Sequence, residues 1–100
     1  MTTSKETCAR ILEQLNLDDL RVRPMMGEFL LYFHDTLIGG LYDGQLLLKE
    51  VPGTARYQLA SVIPYASAKR TMYHLSDLDD QALAQEIIQV TFNELSKKTS

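Results

Sequence analysis

LIGGLYDGQLLLK, the stretch at residues 37–49, contains the pattern that decides the fold. Asp43-Gly44 lies between two apolar runs, and this dipeptide favours a two-residue type I′ turn because both central positions of that turn need φ > 0. The stretch therefore predicts a β-hairpin in which Leu46 and Leu48 share one face of the sheet and Lys49 lies on the other.

Gly39 and Gly40 lie inside the first strand of this hairpin. Two missing side chains in a strand indicate a β-bulge, or a position that another backbone or a bulky aromatic ring approaches closely. We expect one of these features at the glycine pair.

The hairpin extends outward into a larger sheet. Before it, residues 20–24 alternate apolar and basic side chains up to a proline, and residues 29–33 (FLLYF) form a second strand after a turn at Gly27 and Glu28. After it, residues 70–75 are interpreted as a last strand. The pattern predicts an antiparallel sheet of about five strands.

Helical patterns lie at both ends of the chain. Residues 5–15 repeat apolar side chains at i, i+3, i+4 and i+7, and Thr3 with Glu6 predicts a capping box at the start of this helix. Residues 76–96 predict a final helix whose apolar side chains cover an arc of roughly 200°, which indicates heavy burial. A short helix is expected at residues 54–60.

These elements predict an α+β fold of two layers, an antiparallel sheet backed by the N-terminal and C-terminal helices. The 100 residues are 45% hydrophobic and 23% charged, which is typical of one globular domain. We assign that single domain to residues 1–100.

The composition restricts the class of protein. A net charge of −3 gives no overall basic excess of the kind that coats nucleic acid. The single cysteine, Cys8, can form neither an internal disulfide nor a CxxC redox pair. Because the N-terminus has no apolar signal region and no apolar run could span a bilayer, we expect a cytoplasmic protein without membrane attachment.

No residue set in the chain predicts catalysis. His34 and Asp35 could act as a base with its orienting carboxylate, and Cys8 or Ser67 as a nucleophile. However, adjacent strand residues point to opposite faces, and the His-Asp pair falls at a turn. His74 has no second ligand at metal-binding spacing. The sequence predicts a protein that is not an enzyme and holds no metal or cofactor.

Basic residues collect in the middle of the chain. Residues 49–70 hold four bases and one acid, whereas residues 77–94 hold five acids and no base. One interpretation is a patch for a phosphate backbone or an acidic partner, and the other is solubility with scattered ion pairs, which the negative net charge favours. Direct binding of DNA is expected to be weak or absent. The candidate basic patch consists of Arg21, Arg23, Lys49, Arg56, Lys69 and Arg70.

The strand at residues 29–33 is apolar on both faces, although a two-layer domain buries only one face of its sheet. Either the short helix and the loop at Pro64-Tyr65 cover the second face, or a second copy of the chain does. We expect a homodimer. The candidate interface consists of Phe29, Leu31, Phe33 and Tyr65.

Five motifs follow one another in the chain: Arg23-Pro24-Met25-Met26-Gly27, Leu31-Tyr32, Asp43-Gly44-Gln45-Leu46-Leu47-Leu48-Lys49, Pro64-Tyr65 and Met72-Tyr73. In their order and spacing, from about residue 5 to about residue 96, the chain resembles the N-terminal domain of the TfoX/Sxy family of bacterial competence regulators. Two positions differ from the family pattern, since Met26 replaces the usual Phe and Glu28 stands where a second Gly is common.

This resemblance implies an α+β fold like that of small secretion chaperones, and a link to the control of DNA uptake in transformation. Full-length members of the family assist a cyclic-AMP-responsive transcription activator at competence promoters. They carry a second, helical domain, and this chain ends before it. The resemblance thus implies a protein partner, with a transcription activator as the candidate.

Two functions follow from these observations. The first is a non-enzymatic regulatory or adaptor module that acts through protein contact, as the resemblance implies. The second is a small chaperone-like domain that holds a peptide or ligand against its sheet.

Overall fold

The structure, a computed structural model, describes residues 3–98. Its elements are α1 (Lys5–Leu15), β1 (Leu20–Met25), β2 (Glu28–Phe33), β3 (Thr36–Tyr42), β4 (Gln45–Leu48), a 3-10 helix (Pro52–Tyr57), β5 (Ala60–Val62), β6 (Met72–His74) and α2 (Gln81–Lys98). The strands form one antiparallel sheet in the order β1-β2-β3-β4-β6-β5. The predicted α+β fold is confirmed, with six strands where about five were expected.

Three two-residue turns connect β1 to β4. Both central residues of each turn have positive φ, at Met26 (50°) and Gly27 (86°), at His34 (48°) and Asp35 (63°), and at Asp43 (52°) and Gly44 (75°). Positive φ at both positions defines a type I′ turn, whose twist matches that of paired strands. The prediction at Asp43-Gly44 is confirmed, whereas the turn expected at Gly27 and Glu28 lies one residue earlier.

The two helices cover one face of the sheet. Phe29, Leu31 and Phe33 alternate along β2, and each is at most 9% exposed. They pack in one cluster with Leu46 and Leu48, so the prediction that these two leucines share a face is confirmed. The helices complete the cluster with Cys8, Ile11 and Leu15 from α1 and with Ala84, Ile87 and Ile88 from α2.

Gly39 and Gly40 allow close approaches on β3. A Cβ atom at Gly39 would lie 2.1 Å from the carbonyl oxygen of Leu47, and one at Gly40 would lie 2.7 Å from the ring of Tyr42. A β-bulge beside Gly39 also shifts the register between β2 and β3. The expectation for the glycine pair is therefore confirmed, with a bulge, a close backbone and a close aromatic ring all present.

The start of α1 differs from the prediction. Ser4 is the N-cap, and its Oγ accepts a hydrogen bond from the backbone N–H of Thr7 at 3.1 Å. The capping box of Thr3 and Glu6 is wrong because Thr3 is buried and directs its hydroxyl toward the sheet.

The end of α1 is bound to α2. The side-chain amide of Gln85 donates to the carbonyls of Leu15 (2.8 Å) and Asn16 (3.2 Å), and that of Gln81 donates to the carbonyl of Gln14 (2.8 Å). The last carbonyls of a helix have no partner within it, so these contacts satisfy them and fix one helix against the other.

The segment between β4 and α2 differs most from the sequence analysis. The short helix lies at Pro52–Tyr57 rather than at 54–60, and the edge strand at Ala60–Val62 was not predicted. In α2, whose N-cap carboxylate Asp80 accepts from the N–H of Leu83, the Leu83 side chain is exposed. The wide apolar arc thus overstated how much of this helix is buried.

We expect Gly39→Ala to lower the free energy of unfolding by about 2 kcal/mol, because the new methyl group would overlap the backbone of β4 and force the strands apart. Urea denaturation followed by circular dichroism measures this loss. Gly44→Asn is the matched control, since open space surrounds Gly44 and Asn tolerates its positive φ. Equal losses for both variants would contradict the assignment.

Candidate functional site

Two of the motif turns are joined at one end of the sheet. The N–H of Thr3 donates to the carbonyl of Gly27 (3.1 Å), and the Thr3 hydroxyl accepts from the N–H of Gly44 (2.9 Å). The same hydroxyl donates to the carboxylate of Glu28 (2.8 Å), which also accepts from the N–H of Asp43 (3.1 Å). The N-terminal segment therefore connects the β1–β2 turn to the β3–β4 turn.

Sequence reasoning missed the role of this pair. Thr3 was assigned to a helix cap, and Glu28 was placed in a turn and noted as a departure from the family pattern. The departure is itself the signal, because a carboxylate beside a tight turn can accept hydrogen bonds from backbone N–H groups that a glycine there would leave to water.

The sheet face opposite the helices carries a second cluster, built around Tyr42. The strand register places Gly40 between Leu30 and Leu47 in one row across three strands. Because Gly40 has no side chain, the ring of Tyr42 lies beside it and is only 7% exposed. The loop between β5 and β6 adds Tyr65, whose ring centroid is 6.1 Å from that of Tyr42.

Beside this tyrosine pair lies an open groove of about 1130 Å³. The sheet, the loop at residues 63–71 and Leu95 of α2 form its walls. Its apolar lining includes Leu30, Leu37, Pro64 and Met72, and its charged lining consists of Lys49, Glu50, Lys69 and Arg70. The groove combines an apolar and aromatic surface with an excess of positive charge.

The charges in the groove are unequally satisfied. The carboxylate of Glu50 accepts a hydrogen bond from the Thr71 hydroxyl at 2.8 Å. By contrast, Lys49, Lys69 and Arg70 are exposed and form no ion pair with any residue that the structure describes. The groove therefore presents three cations that can accept an anionic partner.

Tyr42 supplies a polar group at the edge of the groove. Burial raises the pKa of the Tyr42 hydroxyl, and the neighbouring Tyr65 and Glu28 raise it further. The hydroxyl therefore stays protonated at neutral pH, in the form that can donate a hydrogen bond to an acceptor.

The six bases of the candidate patch do not lie together. Arg21 and Arg23 are on the edge strand β1, three strand spacings (~14 Å) from β4. The Arg21 guanidinium lies 3.6 Å from the carboxylate of Asp19. Of the six bases, three line the groove, and these are Lys49, Lys69 and Arg70.

Arg56 belongs to yet another surface. Its guanidinium donates to the Tyr57 hydroxyl at 2.9 Å and lies 5.0 Å from the centroid of that ring, and Tyr57 donates to Glu86 of α2. The expected six-residue patch is thus corrected to a three-residue one at the groove.

The candidate interface also needs correction. Phe29, Leu31 and Phe33 lie beneath the helices in the core, so they offer no surface to a partner. Of the four proposed residues only Tyr65, which is 53% exposed, lies at the surface. Sequence alone left this open because β2 is apolar on both faces, and the second face holds Leu30 and Tyr32, both half-buried.

The candidate catalytic residues are not brought together. His34 and Asp35 are exposed at the β2–β3 turn, where Nδ1 of His34 lies 3.0 Å from the carboxylate of Asp19. Cys8 is buried in the core, and this burial raises the pKa of its thiol. Ser67 lies apart from these residues, in the lining of the groove.

Among residues 3–98, no group of three or more His, Cys, Asp or Glu side chains is placed to hold a metal ion. Nor does any helix in this range combine the length and the apolar character that crossing a bilayer requires.

Comparison with known proteins found no matching family model, no matching curated protein and no matching solved structure. The resemblance to TfoX/Sxy N-terminal domains stays a prediction from the motifs in the chain itself.

The homodimer stays a prediction, now confined to the part of the second sheet face that the groove does not occupy. We expect light scattering at micromolar concentration to report about twice 11.4 kDa. Tyr32→Asp should halve this mass without unfolding the protein, because Tyr32 is half-buried on that face and pairs with the edge strand. Tyr65→Asp is the control outside this area. A monomer at all concentrations would contradict the prediction.

Proposed function

We propose that this protein is a non-enzymatic regulatory or adaptor module of the TfoX/Sxy N-terminal type, which acts in the cytoplasm through contact with a protein partner. The observation that supports this proposal is the groove. It offers a partner an apolar and aromatic surface together with three bases, Lys49, Lys69 and Arg70, that form no ion pair within residues 3–98.

The arrangement of polar groups supports binding over catalysis. A nucleophile and its base need to lie within hydrogen-bond reach of each other. Here the thiol of Cys8 is buried under the helices, while the ring of His34 pairs with Asp19 at an exposed turn. Neither group lines the groove, where a bound molecule would lie, and Ser67, which does, shares that lining with no histidine that could act as its base.

We expect deletion of the gene in the source organism to lower the transformation frequency and the transcripts of competence genes. Complementation with the wild-type gene should restore both. Complementation with the Lys69→Glu/Arg70→Glu gene tests the groove, and complementation with the Arg21→Glu/Arg23→Glu gene is its matched control. Both double variants change the net charge equally, but only the first alters the groove. Unchanged transformation and transcripts after deletion would overturn the regulatory assignment.

The same groove favours a second candidate, a small chaperone-like domain that holds a peptide or ligand against its sheet. In that case deletion would leave competence transcripts unchanged, and the partner protein would lose solubility or abundance instead. Measuring transcripts and the soluble proteome in the same deletion strain separates the two functions.

We expect the isolated protein to bind duplex DNA weakly and without sequence preference. Only three bases lie together, so few phosphates can be neutralised, and each lost contact also weakens the dependence on salt. Titration of labelled duplex at low and at physiological salt measures this. Tight, sequence-specific binding at physiological salt would contradict the prediction and would assign the protein to direct regulators.

A further inference from the structure

We propose that the groove binds an extended acidic segment of a partner protein, one in which carboxylates alternate with apolar or aromatic side chains. This inference rests on the proposed function, because it names the chemistry of the partner that the adaptor would contact. The expected occupant is a peptide segment, and the test below distinguishes it from nucleic acid and from a second copy of the chain.

The charges of the groove select the sign of the ligand. Lys49, Lys69 and Arg70 form no ion pair with a described residue, while the one acid in the lining, Glu50, is bonded to Thr71. Complementary charge across an interface guides association and excludes partners of the wrong sign. A segment with two or more carboxylates therefore complements this surface.

The apolar lining determines which side chains the ligand needs besides its carboxylates. Leu30, Leu37 and Met72 offer hydrophobic contacts, and Tyr65 is 53% exposed beside the buried Tyr42. Exposed aromatic side chains next to apolar surface are typical binding hot spots. An apolar or aromatic side chain of the ligand would bury this surface, which a free anion or a polyanion could not do.

The dimensions favour a chain segment over a small molecule. The groove volume of about 1130 Å³ exceeds the range of roughly 300–1,000 Å³ that small-molecule pockets show. A segment of about eight extended residues spans ~27 Å. The molecule itself measures 30 × 30 × 27 Å, so a segment of this length can lie across one face of the domain.

Single-stranded nucleic acid fits this groove less well. Such strands bind on several aromatic rings in succession, to which their bases stack. In this groove Tyr42 is buried against Tyr65, which leaves one ring free, and Glu50 opposes a phosphate backbone. The combination of apolar and basic groups in the lining suits a peptide whose side chains differ in character.

The test uses the full chain, labelled with ¹⁵N, and a pool of synthetic peptides of about eight residues. Each has Asp or Glu at alternate positions and Leu, Phe or Met between them. We expect amide shift changes in two-dimensional NMR spectra to cluster around Lys49 and residues 63–71. Calorimetry should show binding that weakens as salt rises, because the charges are solvent-exposed. A peptide of the same design with Lys in place of the acids is the control for charge.

Variants separate the groove from general electrostatics. Lys69→Glu/Arg70→Glu should weaken binding of the acidic peptides by about tenfold or more, whereas Arg21→Glu/Arg23→Glu, with the same change in charge, should weaken it less than about twofold. Tyr65→Ser should weaken it without changing its salt dependence. Each substituted side chain is exposed in the folded protein, so the substitutions should not unfold it. The circular dichroism spectrum of each variant should therefore match that of the wild type.

Several results would overturn the proposal. Absence of binding across the pool would do so, as would equal losses for the two double variants. Tighter binding of oligo(dT) than of the acidic peptides would assign the groove to nucleic acid. A groove occupied by a second copy would show as a dimer that Lys69→Glu/Arg70→Glu dissociates. If the peptides fail while gene deletion still lowers transformation, the proposed function stands and only its ligand chemistry is rejected.

Discussion

Three successive type I′ turns constrain the first four strands, and the placement of every other element depends on that constraint. A turn of two residues leaves no spare backbone, so the register of each strand pair is set as soon as the turn forms. A slip by one residue would move Phe29, Leu31 and Phe33 from the helix-covered face to the other. The burial of these side chains offsets the unfavourable positive φ of Met26, a residue type that rarely adopts it.

The hydrogen bonds around Thr3 extend this constraint from the sheet to the N-terminus. Glu28 follows the first turn and reaches the third, so one carboxylate holds two turns that the strand order places side by side. The Thr3 hydroxyl completes the contact with the N–H of Gly44. Since α1 begins directly after Thr3, its position over the core is set by the same end of the sheet.

Much of this fold could be predicted from local patterns, and the rest depends on contacts that no local pattern contains. The Asp43-Gly44 hairpin and α1 were predicted because turn chemistry and helical periodicity act over a few neighbouring residues. The strand at Ala60–Val62 was missed since three residues are too few to show alternation. The candidate interface was wrong in part because both faces of β2 are apolar, and the sequence pattern does not show which face the helices cover.

The candidate site, too, was predicted where it depends on local sequence and missed where it depends on tertiary contacts. That Gly39 and Gly40 admit a close neighbour followed from their lack of side chains, but the identity of the neighbour, Tyr42, did not. The bases at 49, 69 and 70 were singled out by composition, yet only the path of the loop at residues 63–71 brings them to one groove. Arg56 stays on the 3-10 helix, where it bonds to Tyr57. Spacing along a chain predicts which residues share a strand face, but it does not predict which loop packs over that face.

The glycine pair links the core to the groove. Glycine weakens a strand through its conformational freedom, and a β-branched residue would suit β3 better by propensity alone. At Gly39, however, any side chain would meet the backbone of β4, and at Gly40 it would displace the ring of Tyr42. Gly39 lies on the same face as Leu41, whereas Gly40 lies on the opposite face, where the ring of Tyr42 occupies the space that a side chain would fill. The close approach of β3 to β4 thus depends on Gly39 and the wall of the groove on Gly40, so the shape of the binding surface is inseparable from the register of the sheet.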